Sequence, residues 1–225
     1  GLRVMGQVSY YVWLSIQFTS PINVAIPSGN FGNAYSAWFG RSHGLKINQI
    51  MCTTNVNDVL KRFIDSGILE PQTTKPSVAP SMDIQIPSSL ERLIYDFESD
   101  ASSFYQDLNE NKKGILSEGS RDKLQHIFSS QTFDDEKIKE EIKTFNDLFN
   151  IVFDPHTVTS LRMAIDINSS VPTVAVATAS PEKFSNVISP LIKDFPGSEI
   201  DQDEDFETLE PQKDQIIESI KARFS

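Results

Sequence analysis

A glycine-bearing segment, residues 28–33 (SGNFGN), has the residue types best suited to hold an anion. Gly29 and Gly32 lack a Cβ, so the backbone at these positions can approach a ligand closely. The segment lies between a predicted strand and a predicted helix, and the first N–H groups and the positive dipole end of that helix favour a phosphate monoester. It has neither the lysine of a Walker loop nor the glycine spacing of a dinucleotide-binding fold. The residues alone fit a plain tight turn equally well.

Strand and helix patterns alternate on both sides of this segment and predict an α/β fold, a parallel sheet flanked by helices. Gly44 and Gly67 are typical helix stops, and Asp154-Pro155 is a typical helix start. The predicted elements are strands over residues 23–27, 47–54 and 172–179, with helices over 2–18, 34–42 and 59–66, one after Asp154, and one from Pro181.

Composition and patterning divide the chain into four regions. We expect a core helix in residues 1–20, an α/β domain in 21–87 and 151–199, a helical insertion in 88–150, and an acidic loop with a C-terminal helix in 200–225. Residues 2–18 are apolar nearly all round, as in helices that are buried on several sides. Since chain termini are usually exposed, this beginning predicts a missing N-terminal region.

Charge and cysteine content exclude several functional classes. The net charge of −11 disfavours nucleic acid and anionic membranes as partners. No apolar run has the length of a membrane span and no signal peptide is visible, so we expect a cytoplasmic protein. The lone Cys52 can form neither an intrachain disulfide nor a thiolate cluster, and it reads as a small buried hydrophobe. The histidines show no metal-ligand spacing, so no metal site is predicted, and no oligomeric state is indicated.

Several short motifs, taken in chain order, resemble one enzyme family. PSGNFGN resembles the cofactor-phosphate loop of the threonine synthases, which use pyridoxal 5'-phosphate (PLP). Further matches are RVMGQ and YY in residues 3–11, TNVND in 54–58, SMDI, PS and ERL in 81–93, DPHT in 154–157, and ATASPEKF in 177–184. The chain is therefore similar to the C-terminal portion of a threonine synthase of the bacterial and fungal type.

The resemblance implies the large-domain part of the tryptophan-synthase-like PLP fold and a role for each matching residue. Thr178 would hydrogen-bond the pyridine nitrogen, at a strand end where such sheets bind ligands. Arg3, assisted by the Asn30 side chain, would bind the phosphate of the substrate O-phosphohomoserine, because a planar guanidinium suits that oxyanion. Backbone N–H groups would hold the cofactor phosphate at Gly29, Asn30, Phe31, Gly32 and Asn33.

Taken without the resemblance, these side chains have ordinary structural interpretations. Arg3 fits a surface residue near a frayed terminus, and Thr178 fits a β-branched strand residue. His156, directly after Asp-Pro, reads as a structural residue of a first helical turn rather than an acid or a base. Glu91 and Arg92 read as an ion pair on a helix surface.

The family's Schiff-base lysine lies upstream of every motif matched here, so no catalytic residue is assigned in this chain. Lys193 follows the motif for the pyridine nitrogen and reads as a surface residue. We therefore expect the isolated chain to be inactive and to need the missing N-terminal half as a partner. Ser180 and Ser89 stand where the family usually has His and Asn.

The main hypothesis is a threonine synthase, which converts O-phosphohomoserine and water to L-threonine and phosphate. One alternative is a threonine-synthase-like phospho-lyase, which releases phosphate and forms a keto acid. Another is a non-catalytic interaction module, whose helix at residues 2–18 is covered by a partner. Product analysis separates the first two hypotheses, and PLP binding separates both from the third.

Overall fold

The computed structural model describes residues 2–195, which fold into a mainly parallel sheet with helices on both faces. The strands are β1 (Ile22–Pro27), β2 (Ile47–Thr54), β3 (Ile68–Leu69), β4 (Gly114–Ile115), β5 (Phe128–Thr132) and β6 (Thr173–Ala175). The helices are α1 (Leu2–Gln17), α2 (Gly32–Ser42), α3 (Val59–Ser66), α4 (Leu90–Phe97), α5 (Ala101–Asn111), α6 (Glu118–Ile127), α7 (Asp135–Phe149), α8 (Thr157–Asp166) and α9 (Ser185–Ile188). Short 3₁₀ turns span Pro80–Met82 and Pro181–Phe184.

The main sheet has the strand order β5-β2-β1-β6, and all its neighbouring strands are parallel. Strands β3 and β4 form a separate antiparallel pair. The predicted fold class, a parallel sheet flanked by helices, is confirmed.

Strand β1 is buried over its whole length, and strand β2 is buried except at Asn48 and Gln49. Burial on both faces is typical of the central strands of a parallel sheet. Side chains alternate along each strand, so Val24, Ile26 and Cys52 belong to one core while Ala25 and Met51 belong to another. Burial raises the pKa of the Cys52 thiol to about 12, with Ser28 opposing the shift through a hydrogen bond. Cys52 is therefore the small buried hydrophobe that its apolar surroundings predict.

Helices cover the two faces of the sheet in separate groups. The first core contains residues of α2, α3 and α6, such as Ala37, Phe63 and Leu124. The second contains residues of α7 and α8, such as Ile142 and Val158. Since α8 packs on β1, β2 and β6, its first turn lies close to the carboxyl ends of the central strands.

Strand β2 and helix α3 have the bounds that the sequence predicts. Helix α3 ends at Gly67, whose φ of 74° is left-handed and whose N–H donates to Phe63 O. A glycine adopts this conformation without the strain that a Cβ brings, which makes it a dependable stop signal.

Residues 88–150 differ from the consecutive helices predicted there. Four helices are present, α4 to α7, but this range also contains β4 and β5, and β5 is the edge strand paired with β2. Only Phe128 of β5 is buried, and the polar remainder (SSQT) is half-buried, so the apolar alternation of a strand is lacking. The division of the chain into domains stays a prediction, and the region predicted for 200–225 lies outside the described residues.

Strand β6 is shorter than the predicted strand over residues 172–179. It ends at Ala175, with one further bond from Val176 N to Ala25 O. Beyond that point the N–H of Thr178 turns away from β1 and donates to Thr157 Oγ1. Thr178 is therefore in a loop after the strand rather than in the strand itself.

Helix α1 also differs from the expectation of burial on several sides. Only Val4 and Tyr11 are buried, whereas Leu2, Trp13 and Ile16 are exposed. The helix packs along α2 through its buried stripe and leaves a second apolar face uncovered within residues 2–195. In the same range, no helix combines the length and apolarity that crossing a membrane requires.

Candidate functional site

A cleft of about 1080 Å³ lies at the carboxyl ends of β1 and β6. Residues of α1, the loop after β1, the first turn of α2, the 3₁₀ turn Pro80–Met82 and the loop after β6 line it. Ligands of open α/β sheets bind at this edge, because loops and helix N-termini converge there. The predicted site residues all line the cleft: Arg3, Gly29, Asn30, Phe31, Gly32, Asn33 and Thr178.

The loop at residues 28–33 is held tightly by its neighbours. Ser28 N donates to Thr53 O over 2.9 Å, which extends the pairing of β1 with β2. A Cβ on Gly29 would lie 2.2 Å from Ser81 O, so this close approach requires glycine. Phe31 has a left-handed φ of 66° and its buried ring packs 5.6 Å from that of Phe128. A strained non-glycine residue with a fixed ring is typical of a loop shaped for a ligand.

The N-terminus of α2 opens directly into the cleft. No side chain caps it, and Gly32, Asn33 and Ala34 of its first turn line the cleft. Uncapped N–H groups together with the helix dipole attract an anion. Tyr11 donates its hydroxyl hydrogen to Asn33 Oδ1, which ties α1 to this turn.

Asn30 is hydrogen-bonded to the segment that leads into α4. Its Oδ1 accepts from Ser88 Oγ at 3.2 Å, and its backbone oxygen accepts from Ser89 N at 3.0 Å. These bonds fasten the loop to the segment that leads into α4. The same segment brings Arg92, on the first turn of α4, to the cleft wall.

The motif at residues 54–58 positions the connector that packs against Gly29. Asn55 Nδ2 donates to Asp83 Oδ1 at 2.6 Å and to Ala79 O at 3.1 Å. Asn57 Nδ2 donates to the same Asp83 oxygen at 3.0 Å, and its Oδ1 accepts from Lys75 N at 2.8 Å. Asn55 and Asn57 therefore have a structural role, because their hydrogen bonds fix the path of residues 75–83 beside the loop at residues 28–33.

A buried polar cluster lies behind the other end of the cleft. Asp154 Oδ1 accepts from His156 N and Nδ1, each at 2.9 Å, and Oδ2 accepts from Thr157 Oγ1. Burial of Asp154 raises the pKa of its carboxyl group, but the hydrogen bonds from His156 and Thr157 outweigh this, and the pKa lies below its ordinary value. Thr178 N donates to Thr157 Oγ1 at 3.2 Å, which connects the cluster to the loop after β6.

The cleft differs in charge from the chain as a whole. The chain has 31 acidic and 20 basic residues, yet the described residues that line the cleft include Arg3 and Arg92 and no Asp, Glu or Lys. Burial raises the pKa of Tyr10, another lining residue, to about 12, and Arg3 opposes the shift through its positive charge. The local field therefore favours an anionic ligand in a protein that is otherwise acidic.

Arg92 and His156 also line the cleft, although the sequence alone predicts a structural role for each of them. Arg92 was expected to pair with Glu91, but no ion pair joins them in the described part of the chain, and Arg92 faces the cleft. His156 has the structural role predicted for it, although its ring also reaches the cleft. Only the packing of α4 against α2 reveals the position of Arg92. Lys193 is exposed and is not among the residues that line the cleft.

Fold and cleft together define an α/β protein whose parallel sheet ends in a cleft lined by arginines, with no carboxylate among the lining residues within 2–195. No protein-family model matches the chain. Threonine synthase of Pseudomonas aeruginosa is 33% identical over 195 residues, covering 83% of this chain and 42% of that protein. Human threonine synthase-like 1 is 29% identical over 197 residues, covering 79% of this chain and 25% of that protein. The solved structure of PLP-bound threonine synthase from Brucella melitensis superposes with a TM-score of 0.86 at 25% identity, covering 97% of this chain and 50% of that chain.

The chain is homologous to threonine synthases over most of its length, as the motifs of the sequence suggest. It spans less than half the length of the curated relatives named above.

Proposed function

We propose that this chain supplies the cofactor-binding half of a PLP-dependent threonine synthase. The complete enzyme converts O-phosphohomoserine and water to L-threonine and phosphate. The observation that carries the proposal is the cleft itself: an uncapped helix N-terminus and two arginines, without a lining carboxylate among the described residues of an acidic chain. The homology to threonine synthases supports the particular reaction.

The residues present fit the two polar ends of PLP. The phosphate suits the loop at residues 28–33, because the first N–H groups of α2 are uncapped and Gly29 lets the loop pack tightly against the Ser81 carbonyl beside them. The ring nitrogen suits Thr178 at the far wall of the same cleft, since a hydroxyl can hydrogen-bond the nitrogen without protonating it. PLP, when bound, supplies an electron sink for the negative charge that forms on the substrate carbon.

The arginines of the cleft suit the phosphate of the substrate. Arg3 and Arg92 present planar guanidinium groups that bind phosphate oxygens in pairs. Binding holds O-phosphohomoserine in place, and the same contacts stabilise the phosphate as its bond to Cγ breaks. The Asn30 amide, oriented by Ser88, adds a polar contact at the same wall.

Proton transfer is assigned to a lysine outside residues 2–195, because none of the described residues that line the cleft is a lysine. This chain then binds and orients, and the isolated chain turns over no substrate. The same proposal places the enzyme in the cytoplasm, which cell fractionation would check.

The direct test supplies O-phosphohomoserine and PLP to the full-length protein and measures phosphate and threonine together. Equal amounts of both products support threonine synthase activity. Release of neither product by a protein that binds PLP would overturn the proposal. Lys193→Ala is the matched control, because Lys193 is exposed and lies away from the cleft.

A threonine-synthase-like phospho-lyase is the second candidate, and Ser89 is the observation that favours it. This serine lines the cleft where the family usually has asparagine. The human relative, threonine synthase-like 1, shares 29% identity with this chain. Phosphate release with a keto acid and without threonine would establish the second candidate and exclude the first.

A further inference from the structure

Asp154 has more hydrogen-bond donors around it than a helix start requires. Its side chain is 1% exposed and accepts from His156 N, His156 Nδ1, Thr157 N and Thr157 Oγ1. An N-terminal capping carboxylate usually accepts from one or two backbone N–H groups. The two additional donors are side chains, and each of them contacts a different wall of the cleft.

The first branch runs through Thr157 to the loop after β6. A hydroxyl has one hydrogen, and Thr157 gives it to Asp154 Oδ2. Its lone pairs are therefore available to accept from Thr178 N, which lies 3.2 Å away. The carboxylate thereby fixes the backbone of the residue proposed to contact the cofactor ring.

The second branch runs through His156 to the loop after β1. Because Nδ1 donates to Asp154, the neutral ring has an unprotonated Nε2, which accepts from Ser81 N at 3.2 Å. The carbonyl of Ser81 in turn packs on Gly29 at the distance that excludes a Cβ. The carboxylate thereby also fixes the wall that shapes the anion loop.

We propose that Asp154 is a positioning residue that sets the two walls of the cleft relative to each other, one through Thr157 and Thr178 and the other through His156 and Ser81. This inference rests on the proposed function, because the walls are those assigned to the ring and to the phosphate of PLP. A residue that merely started α8 would act on neither Thr178 nor Ser81.

Single substitutions in the full-length protein can remove the hydrogen bonds of one branch at a time. Thr157→Val removes the hydroxyl at constant shape, and Thr157→Ser keeps it. His156→Phe keeps a flat ring and removes both nitrogens. Asp154→Asn keeps the size of the side chain but places an amide N–H₂ where a second acceptor is needed.

The rate of amide hydrogen exchange in peptides that contain residues 176–180 and 79–84 measures how firmly each branch holds its wall, and it needs no bound cofactor. We expect Thr157→Val to speed exchange in 176–180 about 10-fold, the effect of one ordinary hydrogen bond, and to leave 79–84 unchanged. His156→Phe should give the reverse pattern, Thr157→Ser should behave like the parent, and Asp154→Asn should loosen both segments. If Asp154→Asn does not fold, the single-branch variants still decide the question. Equal loosening of both segments by both single-branch variants, or of neither, would overturn the proposal.

Cofactor measurements on the same variants separate this proposal from the proposed function. Thr157→Val should shift the absorption maximum of bound PLP and lower kcat, while His156→Phe should weaken PLP affinity about 10-fold with the absorption maximum kept. Identical spectra and affinities in all variants would contradict a positioning role. If the parent protein binds no PLP while Thr157→Val and His156→Phe each speed hydrogen exchange in their own segment, the proposed function is wrong and the positioning role of Asp154 is still supported.

Discussion

The two walls of the cleft are built in different ways. The wall after β1 is a backbone loop between a fully buried strand and a long helix, held by Thr53, Ser81 and Phe128. The wall after β6 follows a three-residue strand that pairs only with β1 in the described part of the chain. The side chain of Thr178 on this wall is exposed, and the backbone N–H of Thr178 donates a hydrogen bond to Thr157 Oγ1.

This difference indicates how each wall obtains its shape. The anion loop is held by Thr53, by the ring contact of Phe31 with Phe128 and by Ser81, and all of these contacts lie within this chain, so the loop should keep its geometry in the chain alone. The wall after β6 depends on the hydrogen bond from Thr178 N to Thr157, whose hydroxyl is in turn bonded to the buried Asp154. The side chain of Thr178 is exposed. Substitutions in the first wall should therefore lower stability together with binding, whereas substitution of the exposed Thr178 in the second wall should lower mainly function. Asp154 is buried behind both walls, so its substitution should lower both.

Gly29→Ala should have the largest effect, because the new Cβ would meet the Ser81 carbonyl. We expect the free energy of unfolding to fall by about 3 kcal/mol, the upper range for overpacking, and phosphate affinity to be lost. Denaturant titration and phosphate binding check both effects. Gly119→Ala is the matched control, since a Cβ there meets nothing within 4 Å, and it should leave both quantities at or above the parent values.

Asp154→Asn should lower the free energy of unfolding at neutral pH by about 3 kcal/mol, because it unpairs a buried network. The pKa of Asp154 is depressed in the folded state, so its contribution is present above the ordinary pKa of a carboxyl group and disappears as pH falls through the depressed value. The difference between parent and variant should therefore shrink in acid. A difference that stays constant down to the lowest pH of the titration would show that the carboxylate charge does not matter.

Arg92→Ala and Arg3→Ala should each raise the KM for O-phosphohomoserine about 10- to 100-fold, the loss of one or two charge-assisted hydrogen bonds. Both side chains are exposed, so the free energy of unfolding should not change. Arg92→Lys keeps the charge but not the planar fork, and should fall between parent and alanine variant. Steady-state kinetics measure the effect, and an unchanged KM would remove that arginine from the site.

Thr178→Val should have the smallest effect of these substitutions, and the free energy of unfolding should not change, because Thr178 is exposed and its backbone bond to Thr157 needs no side chain. Loss of the hydroxyl should lower kcat about 10-fold through one hydrogen bond to the ring nitrogen. Thr178→Ser should restore kcat. If the valine and serine variants behave alike, the hydroxyl has no part in the reaction.

Local sequence signals predict the first wall well and the second wall poorly. The bounds of strand β2 and helix α3 were predictable to the residue, and Gly67 marks the end of the helix. Strand β5 was not, because its polar sequence gains its place only by pairing with β2. The early end of β6 depends on a bond from Thr178 to a residue 21 positions away. No local pattern records such a contact.

The candidate site follows the same division. Residues 28–33 were predictable as a loop that could bind an anion from their two glycines and their position between a strand and a helix, although the residues alone fitted a plain tight turn equally well. Arg92 was assigned to the helix surface, because its route to the cleft depends on how α4 packs against α2. In the sequence, Asp154 is recognisable only as part of the short motif DPHT. The hydrogen bonds that connect this motif to Ser81 and to Thr178 join distant parts of the chain, so only the structure reveals them.

Titration of the chain with PLP, followed by borohydride reduction and mass mapping, tests the central claim most directly. The account predicts reversible binding that depends on the cofactor phosphate, so that pyridoxal without phosphate binds far more weakly, and no lysine labelled after reduction. Stoichiometric labelling of one lysine, above all Lys193, would contradict the account and relocate the cofactor. Equal binding of PLP and pyridoxal would contradict the assignment of the anion loop.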